Sequence, residues 1–335
     1  MKSKITIVVP TYNAEKTIEK CLNSLKRQTL KESYQVIIIN DGSTDDSVNR
    51  IKKIISTDKR FKLISKENTG LSNTRNLGIK YTDTEYVTFV DSDDFVEENY
   101  IEKLLEGYNK ENCDLSIVGY QKEREDGSII FKSKKTKFNM DPDLAMHEIL
   151  ISGGFEGYTW NKLYRTSIIK KYNLQFKKST EPLEDLYFDF IYLKYCRKIY
   201  YSNVNVYHYI VHPSSIINST KIGTNFNEKS LNAINILKSI NEIIPYQNIR
   251  AKNAVKAKIC WTAVSVIRII YASQSQEDIE KNILIRLNAV MRKYSTIFLK
   301  NDIFPKRDKI IFMINRISPK LFAWIWNNLG LHGMG

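Results

Sequence analysis

The chain is 335 residues long, and its hydrophobic fraction of 42% and charged fraction of 26% are those of a globular protein. Its four cysteines lie far apart and form no Cys-x-x-Cys pair, which argues against a disulfide framework or a zinc site and fits a reducing compartment. The net charge is +14, and the part from Ala251 onward holds fourteen Lys or Arg against five Asp or Glu. Such a surface is typical of proteins that meet nucleic acid, anionic lipid or phosphorylated substrates, or simply of a basic proteome.

The first part of the chain alternates strand and helix patterns. Strands are predicted at Lys4–Pro10, Gln35–Asp41, Phe61–Lys66, Tyr86–Asp91 and Leu115–Tyr120, and helices at Ala14–Gln28, Asp45–Ser56, Leu71–Lys80 and Glu97–Asn109. This alternation predicts an α/β fold with a mostly parallel sheet and helices on both faces.

The pattern changes after Tyr120. Asp126-Gly127 is a hairpin signal, Glu184–Tyr195 reads as a helix, and Ile199–Ile210 reads as an aromatic strand. From about Asn225 the chain is almost wholly helical in pattern. No stretch reaches the roughly 18 apolar residues of a membrane span, and the apolar run near the N-terminus is too short for a secretory signal.

Polar motifs follow four of the predicted strands. They are Pro10-Thr11-Tyr12-Asn13, Asn40-Asp41-Gly42-Ser43, Glu67-Asn68-Thr69-Gly70 with Arg75 behind it, and Asp91-Ser92-Asp93-Asp94. Each motif alone has a plainer explanation, as a turn or a surface residue. Because the carboxyl ends of the strands in an open α/β sheet border one crevice, the four together predict a shared ligand site.

The chemistry of these motifs suits a nucleoside diphosphate. Clustered carboxylates at a strand end repel one another, so a hard cation such as Mg²⁺ or Mn²⁺ is their natural partner. Asp41 can accept a hydrogen bond from a base N–H, and helix N-termini together with Arg75 can meet phosphate. A metal ion can bridge Asp93 to the diphosphate.

The second half adds three candidates with competing interpretations. Glu184-Asp185 opens a helix and is either helix N-terminal charge or a general base that takes a proton from a hydroxyl. Trp160 is either a platform for a sugar ring or part of the core. His208 and His212 either contact phosphate or metal or serve a structural purpose.

Taken together, these motifs resemble those of the family 2 glycosyltransferases, an inverting group with the GT-A fold. The matching segments are Val8–Asn13, Ile39–Asp45, Asn68–Asn76, Phe89–Asp94, Trp160–Tyr164 and Glu184-Asp185, and the resemblance extends from about Lys4 to Ser215. It implies a sugar-nucleotide donor, usually UDP-linked, with Mn²⁺ or Mg²⁺ as cofactor. It also implies a glycan acceptor, and many relatives act on lipid-linked oligosaccharides in surface polysaccharide assembly.

Roles are carried over from the resemblance by position. Asp185 is the expected catalytic base, with Glu184 beside it, and Asp91 and Asp93 are the expected D-x-D metal pair. The expected donor-binding residues are Pro10, Tyr12, Glu15, Asp41, Asn68, Gly70, Arg75 and Ser92. The segment Tyr207–Ser215, with His208 and His212, resembles a mobile part that closes over the donor, although His208 and Val211 stand where arginines are common.

These matches divide the chain into a catalytic domain at 1–220 (donor half 1–120, acceptor half 121–220) and a helical region at 221–335. In that region the basic Pro305–Lys309 and the aromatic Leu321–Trp326 suit a helix lying in a membrane interface. The alternative is helices that pack on the catalytic domain or on a second subunit, as in a homodimer. The resulting expectation is a cytoplasmic enzyme at the inner face of the membrane.

Three rival functions follow from the same residues. A catalytically inactive nucleotide-sugar-binding relative would not need Asp91, Asp93 and Asp185. A nucleic-acid-binding protein would carry a binding module, and none is recognisable, so nucleic acid is not an expected partner. A nucleotidyltransferase would need a glycine-rich basic loop after the first strand, where Pro10–Asn13 stands instead.

Overall fold

The computed structural model describes residues 3–30, 34–133, 138–212, 229–272 and 278–328. The chain divides into two compact units. The first contains Met1–Ala145, Gly153–Ser179 and Glu184–Val211, and the second contains Met146–Ser152, Thr180–Leu183 and His212–Gly335. The predicted domain boundary at residue 220 lies outside the described residues.

The first unit is built on one mixed sheet, with ten strands among the described residues. They are β1 (Ile5–Thr11), β2 (Tyr34–Asp41), β3 (Phe61–Lys66), β4 (Tyr86–Phe89), β5 (Phe95–Val96), β6 (Leu115–Arg124), β7 (Ile129–Lys132), β8 (Phe138–Met140), β9 (Lys162–Arg165) and β10 (Ile199–Val211). Their order is β3-β2-β1-β4-β9-β6-β10-β5, with β7 beside β6 and β8 beside β10. The predicted α/β class is confirmed.

The sheet is less parallel than the alternating pattern predicted. Strands β1 to β4 are parallel, as are β6 and β10. Strand β9 lies between β4 and β6 and is antiparallel to both. Strand β9 departs from the predicted parallel arrangement because it comes from the later part of the chain, where the alternation of strands and helices has ended. The segment before it, Thr159–Asn161, is a single 3₁₀ turn.

The helices of the first unit are α1 (Ile18–Lys26), α2 (Ser47–Ile55), α3 (Leu71–Tyr81), α4 (Tyr100–Glu111), α6 (Thr166–Lys171) and α7 (Glu184–Leu193), and α5 (Pro142–Glu148) runs from the first unit into the second. Five of these helices agree with the predicted ones apart from their ends, and α5 and α6 were not predicted. Helix α1 begins four residues later than predicted, and the Ala14 amide that precedes it donates to the Ser47 hydroxyl at 2.8 Å. The residues Ile18, Cys21, Leu22 and Leu25, whose spacing of three and four residues predicts an apolar stripe, are all fully buried.

The second unit is helical in its described part. Its helices are α8 (Lys229–Ile243), α9 (Ile249–Ala272), α10 (Asp278–Lys300), α11 (Lys306–Ile317) and α12 (Pro319–Asn328). Helix α9 packs against α8, α10 and α12, and it is lined with small buried residues such as Ala254 and Ala257. None of the helices in the described ranges combines the length and apolarity needed to cross a bilayer.

Candidate active site

The loops after β1 and β2 are tied together by side-chain hydrogen bonds. The Asn13 amide oxygen accepts from the Thr44 backbone N–H at 2.9 Å, and the Ser43 hydroxyl accepts from the Asn13 N–H at 3.0 Å. Asn13 has a φ of 47°, a conformation that asparagine tolerates better than most residues. The two predicted loop motifs therefore lie side by side at one edge of the sheet, as expected.

Glu15 belongs to this loop pair. Its carboxylate accepts from the Asp46 N–H at 3.1 Å, and its own N–H donates to the Asp45 carboxylate at 3.0 Å. In this conformation Glu15 supports the start of α2, where acidic groups are favoured by the helix dipole. Of the other residues predicted for the nucleoside pocket, Pro10 is buried in β1 and Tyr12 is half exposed.

Asp41 organises the loop after β3. One carboxylate oxygen accepts from the ammonium of Lys66 and from the Thr69 N–H at 2.9 Å, and the other accepts from the Gly70 N–H at 3.0 Å. Burial by itself would raise the pKa of Asp41, but these hydrogen bonds outweigh it and hold the pKa below its usual value. Asp41 is thus ionised and largely committed to the loop at neutral pH.

Two glycines shape the same edge. Gly42 has a φ of 73°, and a Cβ there would lie 2.9 Å from the backbone nitrogen of Asn68, so the two loops approach as closely as they do only with glycine at this position. Gly70 has a φ of 92° and precedes α3 directly. Asn68 itself is exposed beside this close approach.

Arg75 lies at the centre of an acidic cluster. Its guanidinium contacts Asp185 at 2.6 Å, Asp91 at 3.1 Å and Glu184 at 3.7 Å. Burial would lower the pKa of Arg75, but the three carboxylates raise it above its usual value, so the side chain stays charged. Only 2% of the side chain is exposed. The predicted contact between Arg75 and phosphate does not fit this burial, because the cation is already surrounded by carboxylates.

The three aspartates of the acidic loop differ in environment. Asp94 is buried and accepts from the Tyr207 hydroxyl at 2.7 Å and the Ile210 N–H at 2.8 Å, so it fastens the loop to β10. Asp93 is exposed, and Ser92 is partly exposed. Burial, with help from Asp93, raises the pKa of Asp91 to about 6 although Arg75 opposes the shift. Asp94 was not singled out from the sequence, where nothing distinguishes it from its neighbours.

The predicted base is at the start of α7. Glu184 and Asp185 are its first two residues. One oxygen of Asp185 contacts Arg75, and the other is 3.2 Å from the Thr159 hydroxyl and 3.4 Å from the Thr159 N–H. Both carboxylates are partly exposed. Thr159 is a site residue that the sequence did not reveal, since a lone threonine carries no pattern.

Trp160 is part of the core, contrary to the predicted sugar contact. Its ring stacks between Tyr207 at 4.1 Å and Tyr158 at 4.8 Å, and only 1% of the residue is exposed. No ring face is open to a sugar. Tyr207 in turn donates to Asp94, so the aromatic stack supports the acidic loop from behind.

His208 is also buried, contrary to the predicted phosphate or metal contact. Its ring nitrogens are hydrogen-bonded to Glu97 at 2.8 Å and Glu123 at 2.5 Å, and its face stacks on Phe95 at 4.1 Å. Two carboxylate partners leave no ring nitrogen for a ligand. His212 belongs to the second unit. Of the rest of the predicted lid, Tyr207–Val211 are part of β10, and Pro213, Ser214 and Ser215 lie outside the described residues.

A divalent ion at this site would take some of its ligands from the protein and the others from the substrate. Within the described ranges no group of three or more His, Cys, Asp or Glu side chains could hold a metal ion alone. Asp91 and Asp93 offer two carboxylates, and only one oxygen of Asp91 accepts from Arg75. This fits Mg²⁺ or Mn²⁺ sites in which one or two carboxylates are completed by substrate phosphates and water.

Comparisons with a protein family and with individual proteins both relate this chain to glycosyltransferases. The model of Glycosyl transferase family 2 matches residues 6–173. The putative glycosyltransferase EpsH of Bacillus subtilis is 37% identical over 216 residues, which is 64% of this chain and 62% of EpsH, so the match spans less than two thirds of that relative.

Two solved structures share the fold. Residues 1–349 of Staphylococcus aureus TarS in complex with UDP-GlcNAc give a TM-score of 0.70 at 18% identity, covering 98% of this chain and 92% of that one. The mannosyltransferase PcManGT of Pyrobaculum calidifontis, in complex with GDP-Man and Mn²⁺, gives 0.57 at 12% identity, covering 96% and 88%. The family match includes all four strand-end motifs, the acidic one among them. The chain therefore belongs to glycosyl transferase family 2 and has a mixed α/β sheet of the GT-A type.

Proposed function

We propose that this protein is an inverting glycosyltransferase that moves a sugar from a UDP-sugar to a hydroxyl group of a glycan. The observation that carries the proposal is the ion-pair cluster in which Arg75 contacts Asp91 of the acidic motif and Asp185 of α7. The candidate metal ligand and the candidate base are thus held by one cation. A nucleotide-sugar-binding protein without catalysis would have no need to hold these two carboxylates together.

The reaction follows from the role of Asp185. Its carboxylate takes the proton from the acceptor hydroxyl, and the oxygen attacks the anomeric carbon on the face opposite the diphosphate. The new carbon–oxygen bond forms as the bond to the diphosphate breaks, and the electron pair leaves with UDP. One displacement inverts the anomeric configuration. Glu184 adds negative charge beside the base.

Asp91 and Asp93 would hold a Mn²⁺ or Mg²⁺ ion together with the donor diphosphate. When bound, the ion supplies positive charge to the departing diphosphate. The Mn²⁺ in the PcManGT complex supports this cofactor class. Arg75 would act without contacting the phosphates, by holding Asp91 and Asp185 in place.

The donor would bind along the loops after β1, β2 and β3. Pro10, Tyr12, Asn68, Gly70 and Ser92 border this edge of the sheet, and Asp41 fixes the loop that carries Gly70. The UDP-GlcNAc bound to TarS supports a uridine nucleotide as the donor. Asp41 would act mainly by shaping the pocket, because both of its oxygens already accept protein hydrogen bonds.

The acceptor is proposed to be a lipid-linked glycan at the inner face of the membrane. The second unit supports this by its exposed apolar side chains on α11 and α12, which are Ile310, Met313, Ile317, Leu321 and Trp324 and are between 45% and 84% exposed. Lys306, Lys309, Arg316 and Lys320 lie among them in sequence. Apolar side chains mixed with cations suit an anionic lipid surface. A homodimer through the same helices is the competing use of this face.

The experiment is a screen of UDP-sugars with Mn²⁺ or Mg²⁺, in which UDP release is measured with and without glycan acceptors. We expect metal-dependent UDP release that rises when an acceptor is present, and a product whose anomeric configuration by NMR is opposite to that of the donor. Retained configuration would contradict the inverting mechanism. Nucleotide binding without any UDP release would instead indicate a catalytically inactive binding protein.

A further inference from the structure

A buried ion pair lies one helical turn beyond the proposed base. The ammonium of Lys162, at the start of β9, is 3.2 Å from the carboxylate of Asp189 on α7, and both side chains are fully buried. The other Asp189 oxygen accepts from the Tyr164 hydroxyl at 2.6 Å. Burial raises the pKa of Asp189 to about 6, and Lys162 opposes that shift.

Lys162 also fixes the turn that precedes β9. Its ammonium donates to the carbonyl oxygens of Glu156 at 2.7 Å and Tyr158 at 2.5 Å, and to the side-chain oxygen of Asn161 at 3.0 Å. One buried cation therefore holds both the 156–161 turn and helix α7.

The same turn and the same helix also meet at the proposed base. Asp185 and Asp189 are four residues apart on α7, so they lie on one face of the helix. Thr159 contacts Asp185, and Lys162, three residues further along, contacts Asp189. The segment from Thr159 to Lys162 therefore contacts two successive turns of α7 on the same face.

Stability alone is a weak reason for such a pair. Removing two charges from water costs several kcal/mol per ion, and replacing a buried pair with apolar residues of similar size is often neutral or stabilising. A pair of charges differs from apolar packing mainly in its directionality. The ion pair therefore fixes the position of α7 along the direction of β9, and apolar side chains would fix this position less tightly.

We propose that Lys162 and Asp189 are positioning residues that set the placement of α7 against β9 and thereby aim Asp185 at the acceptor hydroxyl. This inference rests on the proposed role of Asp185 as the base. The pair acts through the helix and touches neither donor nor acceptor.

The decisive variant is the double substitution Lys162→Met and Asp189→Leu, which removes both charges and keeps the volume nearly constant. We expect it to fold with a lower melting temperature, because the Tyr164 hydroxyl and the carbonyl oxygens of Glu156 and Tyr158 lose a buried partner, and to bind UDP within twofold of the wild type. We expect kcat for transfer to fall at least tenfold, with an unchanged KM for the donor. Amide hydrogen exchange at residues 188–190, among the first amides of α7 with intrahelical partners, is expected to speed up, because the helix is held less firmly.

The control is Thr84→Val, which breaks the buried hydrogen bond between the Thr84 and Thr6 hydroxyls (2.7 Å) in the same unit. It is expected to lower the melting temperature without changing kcat. If the double variant keeps kcat within twofold of the wild type, the pair is merely structural and the proposal is wrong.

Two further measurements keep the outcome clear. Should the double variant fail to fold, Asp189→Asn removes the negative charge of the pair and keeps the size of the side chain and an oxygen for the Tyr164 hydroxyl, and its kcat and exchange rates decide in the same way. Should the wild-type protein show no transfer at all, the proposed function fails. Hydrogen exchange in the variants would still show whether the pair holds the start of α7.

Discussion

Arg75 and Asp185 are separated by 110 residues in sequence, and their side chains form an ion pair of 2.6 Å. The same guanidinium lies 3.1 Å from Asp91, so it joins the acidic loop after β4 to the start of α7. The donor side and the acceptor side of the proposed reaction are therefore connected by one buried cation. This arrangement explains why an arginine behind the third strand-end loop belongs to the site without facing the phosphates.

We expect Arg75→Gln and Arg75→Lys to separate the two contributions of this cation. The glutamine variant leaves three carboxylates close together without a counter-charge, and breaking a buried pair in this way costs about 3–5 kcal/mol in the free energy of unfolding. The lysine variant keeps the charge but cannot form two directed contacts at once, so we expect a smaller loss of stability and a kcat at least tenfold lower. Urea unfolding and steady-state kinetics measure the two effects.

The matched control for these variants is Arg60→Lys. Arg60 pairs with Asp58 at 2.6 Å in the same unit, away from the acidic cluster. The kcat of the Arg60→Lys variant is expected to equal that of the wild type. A normal kcat for Arg75→Lys as well would show that the double contact has no catalytic consequence.

Asp185→Asn should strongly lower kcat for transfer while leaving donor binding intact. The amide keeps the size of the side chain and a hydrogen-bonding oxygen, but it cannot take a proton from the acceptor. General-base catalysis contributes about 10²- to 10⁴-fold, and we expect a loss of kcat in that range. Glu184→Gln, one residue earlier and 3.7 Å from Arg75, is the comparison and should lose less. The reverse ranking would assign the base to Glu184.

Metal-dependent binding of UDP should weaken as the pH falls below about 6. The pKa of Asp91 is raised to about 6, chiefly by burial, so this carboxyl is ionised above that pH and protonated below it. A protonated carboxyl is a poor metal ligand, and affinity should drop by up to about tenfold per pH unit once it protonates. Titrations of UDP with Mn²⁺ between pH 5 and 7.5 measure this, and titrations without metal are the control. An equal slope in both series would remove Asp91 from the metal site.

Local sequence patterns predicted the scaffold of the site well. Gly42 and Gly70 adopt the left-handed φ values that strand-end turns require, and the stripe that includes Leu22 is buried as its spacing indicated. Such features depend on neighbours within a few residues. The parallel order of β1 to β4 follows for the same reason, because each helical connection is short and regular.

Side-chain roles that depend on distant partners were not predictable. Tryptophan and histidine are residue types that often bind ligands. In this structure, however, the ring of Trp160 stacks on Tyr207, and His208 is hydrogen-bonded to Glu123. Arg75 was expected to face phosphate. Its hydrogen-bond partners Asp91 and Asp185 are 16 and 110 residues away in sequence, so spacing could not reveal them. Sequence spacing gives the edge of the sheet where a residue lies, whereas burial and pairing depend on partners from distant parts of the chain.

Removing the exposed apolar residues of α11 and α12 should weaken binding to anionic vesicles. Ile317 and Trp324 are 84% and 60% exposed. Burying side chains of this size in lipid contributes about 1.5–3 kcal/mol each, and each nearby cation adds about 1 kcal/mol at an anionic surface. Ile317→Ser combined with Trp324→Ala should therefore lower binding to phosphatidylglycerol vesicles at least tenfold in a sedimentation assay. Ile285→Ser, which changes a residue that is 68% exposed on α10, is the control and should bind as the wild type does. If the double variant keeps its vesicle binding but sediments as a smaller particle in the absence of lipid, these residues form a contact between subunits and not with the membrane.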